Sequence, residues 1–306
     1  MNVIFVGTAP LGAPTLHALA HKHRVLAVFT QPDRPAGRGL TLTPPPIKRV
    51  ALELGLPVYQ PEKINRETEF IKTLQPDVIV VVAFGQFLSK RLLKIPKHGC
   101  VNLHASLLPK YRGAAPIQWA IINGESETGL TTFIVNEEMD AGDILLQERV
   151  PIGDEETAGM LLDKLAALGP DLVLRTLEGL EKGTLTPRPQ DHSQATFAPK
   201  IESALGKIEW SQPARQIFNL IRGLNPSPGA YTFLAEQRVK LFFGRIVPGF
   251  RGAEPGQIIE IGSGGPIVQC GQDALELTEV QPAGKRRMSG KDFINGYKIR
   301  VGAKLG

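Results

Sequence analysis

Val78-Ile79-Val80-Val81-Val82-Ala83-Phe84 is a continuous apolar run whose first five residues are all β-branched. A strand with one face in water alternates apolar and polar side chains. A run without alternation predicts a central strand covered on both faces, the arrangement of a parallel sheet with helices packed on either side. The run leads into Gly85-Gln86-Phe87-Leu88. Ligands of open α/β sheets bind beyond the carboxyl ends of the strands, so residues 84–88 are placed to line a pocket, although such side chains equally suit a core.

The next strand downstream carries the chemistry. Cys100-Val101-Asn102-Leu103-His104-Ala105-Ser106-Leu107-Leu108-Pro109-Lys110-Tyr111-Arg112-Gly113 opens as a short apolar strand with polar residues at 102 and 104. Alternate positions share a face, so an amide and an imidazole point together beyond the strand end. Pro109 stops regular pairing, and Arg112-Gly113 adds charge and a turn. An amide donates to a carbonyl oxygen without changing charge, and an imidazole moves a proton near neutral pH. Further on, Asn136-Glu137-Glu138-Met139-Asp140-Ala141-Gly142-Asp143 forms a loop between β-like segments at 131–134 and 144–150, which are expected to pair antiparallel at the sheet edge. Asp140 from that loop is suited to orient or charge-stabilise His104.

Upstream, residues 3–6 and 25–30 read as strands around a helix at 14–21, and the whole first part alternates strands with helices. The first turn holds only Gly7 and Gly12, which is not a dinucleotide fingerprint, so NAD is not expected. Residues 31–46 carry prolines at 32, 35, 44, 45 and 46, which excludes a helix and predicts an irregular loop long enough to have a function. Arg34 and Arg38, with Lys48 and Arg49 behind them, give it reach toward phosphates. Helices are expected at 47–54, at 67–74 and from Thr157 to about Leu180, the last broken or restarted at Gly169-Pro170, with a strand at 57–59. Asp154, Glu155 and Glu156 complement the dipole at its start.

Residues 183–207 lack periodicity, and the texture changes beyond them. The organisation expected is a Rossmann-like, mostly parallel α/β catalytic domain at 1–189, a linker at 190–206, and a C-terminal domain at 207–306. Short β-like segments at 230–234, 239–246, 256–261, 266–270 and 274–280 follow a helix at 213–222 and suggest a small barrel. Residues 1–200 hold 21 Lys and Arg against 21 Asp and Glu, whereas residues 201–306 hold 14 against 9, so the whole net charge of +5 belongs to the last third. A neutral domain followed by a basic one suits a polyanionic partner, with Lys285-Arg286-Arg287 as a compact basic tag. Two isolated cysteines give neither a metal cluster nor a disulfide framework and imply buried, reduced thiols. No metal site and no membrane span is expected. A strand that starts at Val3 leaves no room for a signal peptide, so the expected location is the cytoplasm.

The run Asn102-x-His104-x-Ser106-Leu107-Leu108-Pro109-x-x-Arg112-Gly113, followed by Asp140-x-Gly142, resembles the signature of the folate-dependent formyltransferases. Gln31-Pro32-Asp33-Arg34-Pro35-Ala36-Gly37-Arg38-Gly39 and Arg112-Gly113-Ala114-Ala115-Pro116-Ile117-Gln118 are similar to the branch that acts on methionyl-tRNA. The likeness runs to the C-terminus, through Gln281-Pro282-Ala283-Gly284-Lys285 and Met288-Ser289-Gly290-Lys291-Asp292-Phe293. Two positions depart from the pattern: Ala9 follows Thr8, with the proline one place later, and Ala105 stands where glycine is common.

The resemblance implies a formyltransferase fold followed by an OB-like β-barrel. It implies transfer of formyl from 10-formyltetrahydrofolate, a cosubstrate, to the amino group of initiator methionyl-tRNA by a monomer, with Asn102, His104 and Asp140 as the catalytic set. The folate would contact Phe84, Gly85, Gln86, Leu88, Ser106, Leu107, Leu108 and Pro109. The tRNA would contact Arg34, Arg38, Lys285, Arg286 and Arg287. Asn102 and protonated His104 would stabilise the oxyanion. Two other readings keep the same triad or discard it. A formyltransferase for amino-sugar nucleotides, or a formyl-folate hydrolase, would not need the basic loop and basic C-terminal domain, and a non-catalytic RNA-binding protein would not need an intact triad.

Overall fold

The apolar run at 78–84 becomes the middle of a seven-stranded sheet. The computed structural model describes residues 1–36 and 41–306. In chain order the first elements are β1 (Asn2–Gly7), α1 (Ala13–Lys22), β2 (Arg24–Phe29), β3 (Arg34–Ala36), β4 (Thr41–Thr43), α2 (Pro46–Glu53), β5 (Val58–Tyr59), α3 (Thr68–Thr73), β6 (Val78–Val82), α4 (Lys90–Leu93), β7 (Cys100–His104), α5 (Pro116–Ile122), β8 (Glu127–Ile134), β9 (Ile144–Pro151) and α6 (Ala158–Glu181). The sheet order is β5-β2-β1-β6-β7-β8-β9. Its first five strands run parallel, and β8 and β9 close the far edge antiparallel, as the 131–134 and 144–150 segments predict. Every residue of β6 is buried, which is why that segment carries no polar position.

The described residues fall into two compact units. Met1–Pro116, Glu127–Pro151 and Leu162–Pro199 form the first; Ile117–Ser126, Ile152–Leu161 and Lys200–Gly306 form the second. The expected linker at 190–206 therefore falls partly in each, with 190–199 belonging to the sheet-bearing unit.

The structure departs from the sequence expectations in specific ways. Helix α6 runs through Gly169-Pro170 without a break. An internal proline costs about 3 kcal/mol. Leu165, Leu172, Val173 and Leu177 are all buried along this helix, and burying each contributes about 1.5–3 kcal/mol, so packing outweighs the lost hydrogen bond. Gly169 is there because the helix lies close on its neighbours: a Cβ would come within 2.8 Å of Leu103 Cδ2. In the proline-rich stretch, β3 and β4 pair as a small antiparallel hairpin instead of an irregular loop. Its base is tied down by Asp33, whose carboxylate takes the Lys48 ammonium at 2.7 Å and the Gln60 amide at 2.7 Å. Those donors hold the Asp33 carboxyl below the usual range, the Gln60 hydrogen bond first and Lys48 next. Lys48 is thus occupied and not reaching for phosphate.

The second unit contains α7 (Ala214–Gly223), β10 (Ala230–Leu234), β11 (Gln237–Val247), β12 (Ile258–Ile261), β13 (Pro266–Gln269), β14 (Ala274–Pro282), β15 (Met288–Ser289) and α8 (Gly290–Tyr297). The five longer strands match the expected segments. Strand β15 and helix α8, the latter capped by the Ser289 hydroxyl on the Asp292 N–H, go beyond the sequence expectations. Strand order is β10-β11-β14-β13-β12, all antiparallel, with β15 beside β14. The two outer strands are joined by the chain end: Leu305 N–H donates to Gly256 O at 2.9 Å and Gly306 N–H to Phe233 O at 3.0 Å. That segment closes the sheet into a small barrel around Trp210, Phe218, Leu241, Leu275, Leu277 and Phe293.

Candidate active site

The carboxyl end of β7 carries Asn102 and His104 and brings His104 to Asp140. Antiparallel pairing with β8 sets Asn102 opposite Phe133 and His104 opposite Thr131. His104 is 7% exposed, and the Phe133 ring stands edge-on to it at 6.5 Å. Its Nε2 lies 2.9 Å from the Tyr111 carbonyl oxygen. A carbonyl only accepts, so Nε2 carries hydrogen and Nδ1 is the nitrogen left for chemistry. Nδ1 faces Asp140 Oδ2 at 3.7 Å, too long for a hydrogen bond. Asp140 Oδ2 itself accepts the Gly113 N–H at 2.8 Å. Asp140 sits at φ 49°, a left-handed conformation that aspartate tolerates better than most residues. Asn102 is half-buried, and its side chain makes no hydrogen bond to another described residue. Its N–H donors are available to a carbonyl oxygen beside His104.

The loop after β7 is held by β8 and β9. Thr131 Oγ1 donates to Ser106 O at 2.6 Å and accepts the Leu108 N–H at 3.1 Å, while Gln147 Nε2 donates to Leu108 O at 2.9 Å. Ser106 is fully buried, and its hydroxyl donates to Lys110 O at 2.6 Å. Leu108 packs with Phe133 and Ile144, whereas Leu107 and Pro109 stay half-buried. At the end of β6, Phe84 is a core side chain at 4% exposure, and its carbonyl takes Thr8 and Gln31 donors. The Gln86 side chain is spent on Ile64 N–H and Glu62 O. The backbone groups of Gly85, Gln86 and Leu88, by contrast, have no partner among the described residues. Gly85 adopts φ +83°, and a flat ring with alternating donors and acceptors fits such an unpaired backbone edge beside the buried Leu88.

Sequence reasoning missed Gln190. Its buried amide donates to both Asp140 O and Gly142 O at 2.8 Å and accepts from Arg112 Nε at 3.1 Å and Nη2 at 2.7 Å. Residues 196–198 run beside 111–113: Thr196 Oγ1 accepts Tyr111 N–H at 2.9 Å, and Ala198 N–H donates to Arg112 O at 2.7 Å. No periodicity marks such an extended segment, because its order comes from partners remote in sequence.

The basic residues lie elsewhere. Arg34 is exposed on β3, and Arg38 lies outside the described residues. Lys285, Arg286 and Arg287 are exposed, and Arg287 covers the Phe242 ring at 3.5 Å while pairing with Glu279 at 3.6 Å. The same face carries residues the sequence reading passed over. Tyr231 pairs with Lys240, and Phe233 with Arg238, across β10 and β11. Arg238 stacks on Tyr231 at 3.5 Å, and its buried Nε has no partner among the described residues. Burial, then repulsion from Arg238 and Arg287, pushes the Lys240 pKa down, a sign that like charges gather here. The period-two placement of Arg238, Lys240 and Phe242 was the available signal. Among the described residues no group of three or more His, Cys, Asp or Glu side chains is placed to hold a metal ion, and no helix is long and apolar enough to cross a membrane.

Comparison with known proteins bears on this geometry. The formyl transferase family model matches residues 1–177, and the formyl transferase C-terminal domain model matches residues 200–298. A methionyl-tRNA formyltransferase of Thermodesulfovibrio yellowstonii is 48% identical over 304 residues, covering 98% of this chain and 97% of the relative. One from Moorella thermoacetica is 48% identical over 309 residues, covering 100% and 99%. In structure, an N-formyltransferase from Helicobacter canadensis, solved with folinic acid and dTDP-3-aminofucose, superposes with TM-score 0.69 at 18% identity, over 90% of this chain and 99% of that one. HypX from Aquifex aeolicus, solved with tetrahydrofolic acid, gives TM-score 0.67 at 17% identity, over 98% of this chain and 48% of that one. At such identities these two structures establish the fold alone.

Proposed function

Because the chain belongs to the formyl transferase family, we propose that it moves the formyl group of 10-formyltetrahydrofolate onto the amino group of initiator methionyl-tRNA. The observation that carries the chemistry is the free Nδ1 of His104 beside Asp140 and the unpaired Asn102 amide. Likeness to methionyl-tRNA formyltransferases along the full length carries the choice of acceptor.

The folate supplies a formyl carbon joined to nitrogen, and the amine of the acceptor is itself the nucleophile, so no covalent enzyme intermediate is needed. As the amine attacks, negative charge grows on the formyl oxygen, and the Asn102 N–H would donate to it. The new nitrogen bond requires loss of a proton from the amine. His104 takes that proton at Nδ1, its Nε2–H remaining on the Tyr111 carbonyl. The resulting imidazolium is stabilised by Asp140 and returns the proton to the departing folate nitrogen. His104 thus acts first as base and then as acid, and the oxyanion contact falls to Asn102.

Main-chain groups of Gly85, Gln86 and Leu88, together with Leu107, Leu108 and Pro109, would hold the pterin; Phe84 and Ser106 are buried behind them. For the acceptor, the Arg238, Lys240 and Arg287 face with Tyr231 and Phe233, beside Lys285 and Arg286, is the contact surface of the second unit; Arg34 on β3 is a contact of the first, and Arg38 lies outside the described residues. Aromatic rings interleaved with cations suit phosphates and unstacked bases together. One chain supplies every group this reading uses, so a monomer suffices.

Formyl transfer from 10-formyltetrahydrofolate, with methionyl-tRNA and amino-sugar nucleotides as competing acceptors, tests the proposal. Product on methionyl-tRNA alone is expected. A formylated sugar, or formate released at the same rate without acceptor, would overturn the acceptor assignment.

A further inference from the structure

We infer that Gln190 is a positioning residue for the transfer, acting through Asp140; the inference rests on the activity proposed above. The residue stands between two parts of the site. On one side its carbonyl oxygen accepts two N–H groups of Arg112, which lies 5% exposed. On the other, both hydrogens of its amide nitrogen go to main-chain carbonyls, Asp140 O and Gly142 O, each at 2.8 Å.

Arg112 fixes which end of the amide is which. A guanidinium only donates, so the Gln190 oxygen must face it and the nitrogen must face the Asp140 turn. With both donors engaged, the turn is fastened from the side opposite the carboxylate. It needs fastening, because Asp140 is held at φ 49°, where most residues with a side chain are strained. Gly142 cannot carry a side chain: a Cβ there would lie 1.7 Å from Ile134 O. The strained turn delivers Oδ2 to Gly113 N–H at 2.8 Å and to His104 Nδ1 at 3.7 Å. Gly113 follows Arg112 directly, so the Arg112–Gln190 pair sets both the carboxylate and the N–H that grips it. Gln190 itself is 5% exposed, and all its amide atoms are committed to these partners.

The consequence separates Gln190 from a merely structural glutamine. Gln190→Glu keeps the shape and keeps an acceptor for Arg112, now as an ion pair, but replaces the nitrogen and its two donors with one oxygen facing two carbonyls. The Asp140 turn loses its clamp. A displacement of about 1 Å in a catalytic group lowers rate about 10²-fold, so Gln190→Glu is expected to lower kcat of formyl transfer by that order. KM for methionyl-tRNA and for 10-formyltetrahydrofolate should stay within about twofold, since neither is proposed to touch this residue.

The decisive measurement is a double-mutant cycle with Asp140→Asn, with thermal melts of each variant alongside. If Gln190 works through Asp140, adding Gln190→Glu to the Asp140→Asn protein costs less than about threefold in kcat, far below its cost in the wild type. Equal cost in both backgrounds would overturn the inference, as would a lowered melting temperature with kcat per folded molecule unchanged. Gln190→Ala, which also frees Arg112, gives a second test: it should lower kcat at least as far, and normal turnover from it would equally sink the idea. A wild-type protein that transfers no formyl to methionyl-tRNA would instead fail the underlying activity, before any variant is compared.

Discussion

The carboxyl end of β7 and the outer face of β10 and β11 both gather polar side chains, and they handle charge in opposite ways. At β7 His104 is nearly buried, and partners fix the roles of its atoms and of Asp140, with Nε2 on Tyr111, Oδ2 on Gly113, and Nδ1 left open. Across β10 and β11, Arg238 stands over Tyr231 and Arg287 over Phe242, with Glu279 paired to Arg287. The first arrangement selects a geometry. The second raises a local positive potential and leaves its cations free to take several poses. Losses should therefore appear in turnover at one region and in salt-dependent binding at the other.

The comparison is broken most directly at His104. His104→Ala is expected to lower kcat by about 10²–10⁴-fold with acceptor KM nearly unchanged, measured by single-turnover formylation. Near-normal turnover would remove the proton-transfer role. Asn102→Ala should cost about 10²–10³-fold in kcat, the usual range for an oxyanion donor, and a loss confined to KM would reassign it to ground-state binding. At the other region, Arg238→Ala with Arg287→Ala should leave saturated kcat almost unaltered. It should weaken methionyl-tRNA binding and lower the slope of log K against log salt by about one for each phosphate no longer neutralised. An unchanged slope would show that this face does not meet the backbone.

The smallest effect concerns neither region and calibrates both. Burial pushes the Cys100 and Cys270 thiols up to about 12, the latter also through Asp273. In an unfolded chain a thiol titrates near pH ~8.5. Both states are protonated below that value, so the contribution to stability is fully present there. It is lost as pH rises from ~8.5 toward 12, where only the unfolded state ionises. Denaturant titrations across this window should show wild type declining more steeply than a Cys100→Ala, Cys270→Ala variant. At neutral pH thiol reagents should label neither cysteine until the chain unfolds.

How much was legible follows from which physics was local. Residues 78–82 announced a doubly covered strand because every position is apolar, and the alternation at 102 and 104 placed amide and imidazole on one face. The five barrel strands were readable from short apolar runs between turns. Other features were not. Gly169-Pro170 reads as a break because local propensity argues for one, yet buried leucines on both sides carry the helix through. Helix α8 was hidden by its short length and by glycines at both ends of its sequence.

The sequence by itself determined the alternation of strands and helices, the triad's residue types and the confinement of excess positive charge to the last third, since all of these depend on composition and near-neighbour spacing. Tertiary structure alone decided which imidazole nitrogen is free, because the Tyr111 carbonyl that claims the other arrives through a loop held by Thr131 and Gln147. It alone recruited Gln190, 50 residues from Asp140, and closed the barrel with residues 302–306. Hydrogen bonds between distant segments form only once burial has brought them together, and no local pattern in the chain records them.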